Sequence, residues 1–403
     1  MPSADELISP ATAHALTSAV AGAAPGAALT ALQAAEHGLE GLPLRERADL
    51  LRDALLADLP GDYRDLAAVV REAADKAPDF SGWLIWPVTS AVAMKAAAAG
   101  TPAAFDDGMA LLAQLTGRLT SEFAIRTLLR QDLDRALAII SGWTRSPDTD
   151  VRRLASEGTR PYLPWSVRVP EIISRPGATV PILDALYRDE SEYVRRSVAN
   201  HLNDLSRDNA DLVTATARRW LAAPDAHTAA VVRHGLRTLI KRGNAEALDL
   251  LGFGPASVDI RGPVLDSTSV PLEGSVRFTA TICNTGSEPA RLAVDYIVHH
   301  CKANGTQTGK TFKLTTATLG PGETLDIARE HSFRPITTRR YHPGPHAVTL
   351  QVNGVPSARA DFDLLPAAIA AAAPIAAAVQ GPAAGQAPAS RTHSADQGLQ
   401  TNP

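Results

Sequence analysis

Two segments between Ser146 and Asp208 hold residue types able to act on a charged substrate: VRRLASEGTRPYLPW (Val151 to Trp165) and YVRRSVANHLNDLSRD (Tyr193 to Asp208). Each reads as a helix with Val-Arg-Arg near its start and one acid near its C-terminal end, Glu157 and Asp204. A helix C-terminus carries partial negative charge, so Lys or Arg is the favoured residue there and a carboxylate is not. Both acids therefore need a reason beyond helix formation. A third acid, Glu122, follows Thr120-Ser121 at a helix start, where a carboxylate suits the macrodipole, so helix capping and chemistry are equally open for it.

The elements that must position these groups follow from hydrophobic spacing. Val194, Val198, Leu202 and Leu205 fall at i, i+4, i+8 and i+11, one apolar stripe facing a core. Arg196, Asn200, Asn203 and Arg207 lie opposite, and Asp204 sits on the flank. In the first helix Val151, Leu154 and Ala155 form the stripe, Gly158 is read as the C-terminal stop, and Arg152, Arg153 and Glu157 point elsewhere. Val-Arg or Ile-Arg steps place Arg at 126, 152, 195 and 233; two of the three spacings, 43 and 38, approach a HEAT-type helical repeat. Stacked helix pairs of this kind curve into a solenoid with a concave face, where these arginines and acids would converge.

The runs EFAIR (Glu122 to Arg126), VRRLASEGTRPYLPW, YVRRSVANHLNDLSRD and VVRHGLRTLIKRGNAEALDLLGF (Val231 to Phe253) resemble the AlkC branch of the bacterial AlkC/AlkD alkylpurine DNA glycosylases. The resemblance extends over roughly Leu42 to Leu365. It implies a HEAT-like repeat enzyme that excises cationic alkylated purines, chiefly N3-methyladenine, from double-stranded DNA without flipping the lesion into a closed pocket and without a cofactor. A base alkylated at N3 of adenine is already cationic and departs neutral, so no general acid is needed. What remains is negative charge beside the developing oxocarbenium sugar and a group to orient water, the division of labour carboxylates perform in glycoside hydrolysis.

Glu122, Glu157 and Asp204 are the residues expected in these catalytic roles, with structural ion pairing to neighbouring arginines as the competing reading for the latter two. Trp165, in a loop after Leu163-Pro164, is either a packing anchor or an aromatic face for the cationic base. Arg152, Arg153, Arg160, Arg195 and Arg196 are expected to clamp phosphates, against the alternative of a solvated charged face, and Arg339 and Arg340 to reach DNA from the second domain.

Composition divides the chain into an Ala/Leu/Arg-rich helical part (1–254), a Thr/Val/Gly/Pro-rich alternating part (255–365) and an Ala/Pro/Gly-rich tail (366–403) expected to be disordered. The fold class is thus multidomain, α then β: a HEAT-like helical solenoid followed by an immunoglobulin-like sandwich of about seven strands. The stretch FRPITTRRYHPGPH (Phe333 to His346) also resembles the C-terminal domain found in AlkC-type proteins. The first forty residues show only loose periodicity, and Leu42 to Asp58 is the first clear helix.

Charge is uneven: residues 1–117 hold 7 Lys/Arg against 15 Asp/Glu, whereas 118–242 hold 20 against 15, so the basic surface coincides with the motifs. Several classes are set aside. GTQTGKT (Gly305 to Thr311) has three residues between its glycines and sits between strands, unlike a phosphate-binding loop. HHC (His299 to Cys301) lacks further ligands at metal-site spacing, and no metal is expected. No Lys lies in the motif helices, Lys241 being nearest, which disfavours a lyase. The two cysteines, Cys283 and Cys301, suit a cytoplasmic pair of thiols better than a disulfide, and no apolar run is long enough to span a membrane. A monomeric glycosylase is the reading favoured; a non-enzymatic HEAT-type module that binds damaged DNA or a protein partner is the alternative.

Overall fold

The computed structural model describes residues 3–336 and 339–366. It comprises a helical N-terminal region followed by an immunoglobulin-like β domain, and the change from helix to strand falls between Asp249 and Val258. The expectation for the tail lies outside the described residues from 367 onward.

Helix formation begins earlier than the periodicity indicates. Pro10–Ala23 and Thr30–His37 are both helical, the first opened by a reciprocal Ser9/Thr12 capping pair with Pro10 at the first helical position. Its buried face is Ala13, Leu16, Thr17 and Val20, so small residues pack closely where large ones would announce the stripe. Trp86, near the start of the Ile85–Ala99 helix, is buried against Phe123 with ring centroids 4.5 Å apart.

The motif helices are Thr149–Glu157 and Glu192–Leu205, and the second packs against both the first and Thr228–Gly235. Val194, Val198, Leu202 and Leu205 are all buried. Gly235 is required by this packing, because a Cβ there would lie 2.7 Å from Cδ2 of Leu202. Gly158 acts in the same way rather than as a left-handed stop. Its φ is −64°, and an added Cβ would sit 2.9 Å from Cγ2 of Ile125, so the absent side chain lets the helix end approach its neighbour.

Three of the four arginines at the Val-Arg and Ile-Arg steps hold loop carbonyls, and the fourth, Arg233, is exposed. Arg126, fully buried, donates to the carbonyls of Gly158 at 3.1 Å, Arg160 at 2.8 Å and Val167 at 2.5 Å. Arg152 reaches the carbonyls of Ser146 and Pro147, and Arg195 those of Asp189 and Glu190. Each of these three guanidiniums gives loop carbonyls a donor.

Among the described residues the β domain contains eight strands, where about seven were expected. A three-stranded sheet has the order β1 (Val258–Leu265), β3 (Ser275–Asn284), β6 (Thr324–Ser332). A five-stranded sheet has the order β2 (Ser269–Pro271), β8 (Val355–Leu365), β7 (Gly344–Val352), β4 (Ala290–Cys301), β5 (Gln307–Leu319). The additional strand is β2, three residues paired parallel to β8 and too short to show alternation. Phe278, Tyr296, Phe333, Val348 and Leu350 fill the space between the sheets. Gln307 to Thr311 lie in β5, so no helix follows the GTQTG segment. Cys283 and Cys301 are free thiols. Backbones of the two regions meet at Gly243 and Gly354, where a Cβ on Gly243 would fall 2.8 Å from the Gly354 carbonyl oxygen.

Candidate active site

Glu122, Glu157 and Asp204 converge on one chain of ion pairs. Glu122 occupies the turn before the Ile125–Gln131 helix, Glu157 is the last residue of its helix, and Asp204 lies in the last turn of Glu192–Leu205. Arg153 Nη1 donates to Oε2 of Glu122 at 2.7 Å, and its Nη2 lies 3.8 Å from Oε1 of Glu157. Arg160 Nη1 donates to the same Glu157 oxygen at 2.6 Å, while its Nε and Nη2 form a fork on Asp204 at 2.9 and 3.2 Å. Three carboxylates thus share two guanidiniums, leaving one net negative charge in the chain.

This arrangement explains acids at helix C-termini. The local helix dipole opposes Glu157, but Arg153 and Arg160 sit one turn before it and just past it, and a charge-assisted pair at 2.6 Å outweighs a macrodipole term of under about 1 kcal/mol. Burial works against the charge on Arg153, yet Glu122 and Glu157 outweigh it and hold its pKa above the usual value. Arg160 behaves likewise: burial opposes its charge, and Asp204 and Glu157 more than compensate. Both guanidiniums stay charged and fix the acids that flank them.

The three carboxylates are held differently. Glu157 is 6 % exposed and has a donor on each oxygen, Arg160 on Oε1 and the Ser197 hydroxyl on Oε2 at 2.6 Å. Glu122 takes Thr120 and Arg153 on Oε2 only. Asp204 is the one acid of the three outside the buried set. His201, fully buried, donates from Nδ1 to the Ser156 carbonyl at 2.9 Å and accepts from Thr179 at Nε2, tying the end of the first motif helix to the middle of the second. Burial pushes its pKa down to about 3, so it is neutral.

Ser197 and His201 were not singled out by the sequence reading. Tyr193, Ser197, Asn200 and Asp204 fall at i, i+4, i+7 and i+11, a polar stripe beside the apolar one that could have pointed to Ser197. His201 offered no such signal, since a buried histidine looks like any other core position.

The arginines expected to clamp phosphates divide into several groups. Arg152 is 7 % exposed; its Nε donates to Asp189 at 2.7 Å and its remaining donors go to Asp189, Glu190, Thr149 and loop carbonyls. That geometry gives it an interlayer role in place of a free fork. Arg153 and Arg160 are committed to the acids, and the Arg153 guanidinium also lies 4.7 Å from the centroid of the half-exposed Tyr193 ring. Arg195 spends Nη1 on carbonyls, whereas Arg196 is exposed with a loose i,i+4 contact to Glu192 at 3.4 Å. In the β domain Arg339 turns inward, its Nη1 2.7 Å from Nε2 of His300, and Arg340 is exposed.

Trp165 is 54 % exposed and adopts φ 59°, a left-handed conformation that costs a non-glycine residue about 1–2 kcal/mol. Its carbonyl accepts from Arg45 at 3.2 Å, and two residues on, the Val167 carbonyl is held by Arg126. Strain kept in place by such anchors is commonest at functional positions. Trp165 lines a cleft of about 80 Å³ with Arg45, Asp49, Trp86, Met94 and Phe123, the last adjacent in sequence to Glu122. Among the described residues no group of three or more His, Cys, Asp or Glu is placed to hold a metal, and no helix is long and apolar enough to cross a membrane.

An uncharacterised protein, YhaZ, from Bacillus subtilis (strain 168) is 32 % identical over 324 residues, covering 80 % of this chain and 88 % of YhaZ. Residues 259–366 match the family described as the C-terminal Ig-like domain of YhaZ. Pseudomonas fluorescens alkylpurine DNA glycosylase AlkC, solved bound to DNA containing an abasic site analogue, is 35 % identical, with a TM-score of 0.77 over 90 % of this chain and 99 % of that one. The chain belongs to the AlkC branch of the AlkC/AlkD HEAT-like repeat family. AlkC-type architecture, with its β domain, accounts for nearly the whole described length.

Proposed function

We propose that this protein is a DNA glycosylase of base excision repair, which hydrolyses the N-glycosidic bond of cationic alkylated purines, chiefly N3-methyladenine, in duplex DNA. The observation that carries the reading is the Glu122–Arg153–Glu157–Arg160–Asp204 chain, built into a fold shared with a glycosylase solved bound to DNA containing an abasic site analogue. In the reaction the C1′–N9 bond breaks, its electrons neutralise the departing base, and water adds to C1′ with loss of a proton.

Glu157, with both oxygens fixed, supplies preorganised negative charge to the oxocarbenium sugar. Asp204, its side chain as exposed as that of Glu122 at 11 %, orients water: each oxygen, after accepting one bond from the Arg160 fork, keeps a lone pair. Glu122 anchors Arg153 and adds charge at the far end. Trp165 offers its exposed face to the cationic base, an attraction of about 0.5–2 kcal/mol. The lesion is attacked without being flipped into a closed pocket, as the likeness to the AlkC branch implies. Arg196 and Arg340 remain exposed for contact with DNA, the protein acting as a monomer in the cytoplasm.

Incubating methylated duplex DNA with the protein and identifying the released base tests the reading. Free N3-methyladenine in amounts that grow with protein is expected. Binding of the damaged duplex with no base released would instead establish the non-enzymatic module.

A further inference from the structure

With Arg152, Arg153 and Arg160 occupied, the groups left to hold the DNA backbone beside the acids must be found elsewhere. Just past Asp204 the structure is short of anions. Arg168 and Arg207 are exposed and, among the described residues, form no ion pair; their one side-chain bond there is a long contact from Arg168 to the Pro161 carbonyl at 3.4 Å. Both guanidiniums are nevertheless ordered around one ring, 4.8 and 4.5 Å from the centroid of Tyr162. The nearby carboxylate of Asp208 accepts the Tyr162 hydroxyl at 2.5 Å, which fixes the phenol; it keeps its charge, so the two arginines and Asp208 together leave one net positive charge.

The surroundings add to the deficit. Arg126 and Arg237 donate only to carbonyls and an amide oxygen. Burial, then repulsion from Arg168 and Arg160, lowers the Arg126 pKa to about 10. Its Nη2 is buried without a partner. Like charges are gathered here against their own repulsion, an arrangement that an arriving anion relieves.

We propose that Arg168 and Arg207, held against the Tyr162 ring, form a binding station for a DNA backbone phosphate next to the Asp204 end of the acid chain. The claim rests on the reading of the protein as acting on DNA. Stacking orients each planar fork and lowers the entropy lost when it closes on phosphate oxygens. Tyr162 is two residues beyond Arg160, and Arg207 three beyond Asp204, so a phosphate gripped here is tied through short covalent links to the groups assigned to the sugar. Tyr162 is a positioning residue; the arginines make the contact.

The test is binding of the full chain to a duplex carrying an abasic-site analogue, measured by fluorescence anisotropy between 50 and 200 mM salt. Each phosphate contact contributes about 0.9 to the slope of log K against log salt. Arg168→Gln and Arg207→Gln should each bind more weakly and lower the slope by up to this amount, so that raising salt over the range costs as much as about three- to fourfold less affinity than in the wild type. Tyr162→Ala should weaken binding similarly and Tyr162→Phe should restore most of it, because the ring and not the hydroxyl orients the guanidiniums. An unchanged slope in the Arg168→Gln/Arg207→Gln double variant, with a wild-type melting curve, overturns the station, as does weaker binding at an unchanged slope. The assay reads no chemistry. A wild-type chain that binds this duplex but releases no base sinks the glycosylase reading alone, whereas base release with unaltered variant slopes sinks the station alone.

Discussion

The Ser197 hydroxyl donates a 2.6 Å hydrogen bond to Oε2 of Glu157 across the interface between the two motif helices. It leaves the carboxylate with a donor on both oxygens and one orientation. Ser197→Ala should remove a charge-assisted bond worth about 1.5–3 kcal/mol and let Glu157 turn. Base release under single-turnover conditions is expected to fall about tenfold or more, with little change in DNA affinity and partial recovery in Ser197→Thr. Equal losses in the Ala and Thr variants would count against a positioning role.

Glu157→Gln and Asp204→Asn keep shape and remove charge. Each should lower the single-turnover rate of N3-methyladenine release by about 10²–10³, the usual worth of one preorganised electrostatic group. Affinity for DNA should hold or rise, since an anion is removed from a surface that meets phosphates. Wild-type rates in both variants would return these acids to a purely structural role.

Protonation should weaken the fold on the acid side. Burial depresses His201 to about 3, and in the β domain His300 to about 3 and His331 to about 4, against 6.5 for each when unfolded. Because the folded state resists the proton, this contribution is complete above pH 6.5 and is lost as pH falls toward 3–4. For His201 alone the loss by pH 5 is about 2 kcal/mol. Melting curves from pH 7 to pH 5 should show a steady decline that His201→Gln makes shallower. Asp295 runs the other way, raised to about 6 by burial, with Lys313 and Lys241 opposing. Its share is complete below pH 3.8 and lost as pH rises through 6, so Asp295→Asn should raise the melting temperature at pH 7 more than at pH 4.

Gly354 sits at φ 84° against the backbone of Gly243, where the β domain meets the helical region. Gly354→Ala adds a Cβ that strikes the Gly243 carbonyl and carries the left-handed cost of about 1–2 kcal/mol. Melting temperature and affinity for abasic-analogue duplex should both drop. A fall in the melting temperature alone would show that seating of the β domain does not govern DNA binding.

The sequence by itself determined what local rules control. Val194, Val198, Leu202 and Leu205 announced their buried stripe, the alternation of Ser275 to Asn284 is strand β3, and the run from Tyr193 to Asp208 carried the family. The misplacement of Glu157 and Asp204 was visible because helix polarity is a property of the chain alone. Which arginine meets which acid was decided by tertiary structure. Arg152, Arg153 and Arg160 are alike in type and lie within nine residues, yet one staples a layer to Asp189 and two bind the acids, since their directions depend on how the next helix docks. Partners forty or so residues apart, such as Ser197 for Glu157 or Asp204 for Arg160, have no periodic signature. Long-range pairing of polar groups is fixed only when the apolar stripes have packed, because that packing sets the angles and distances at which a charge-assisted bond can form.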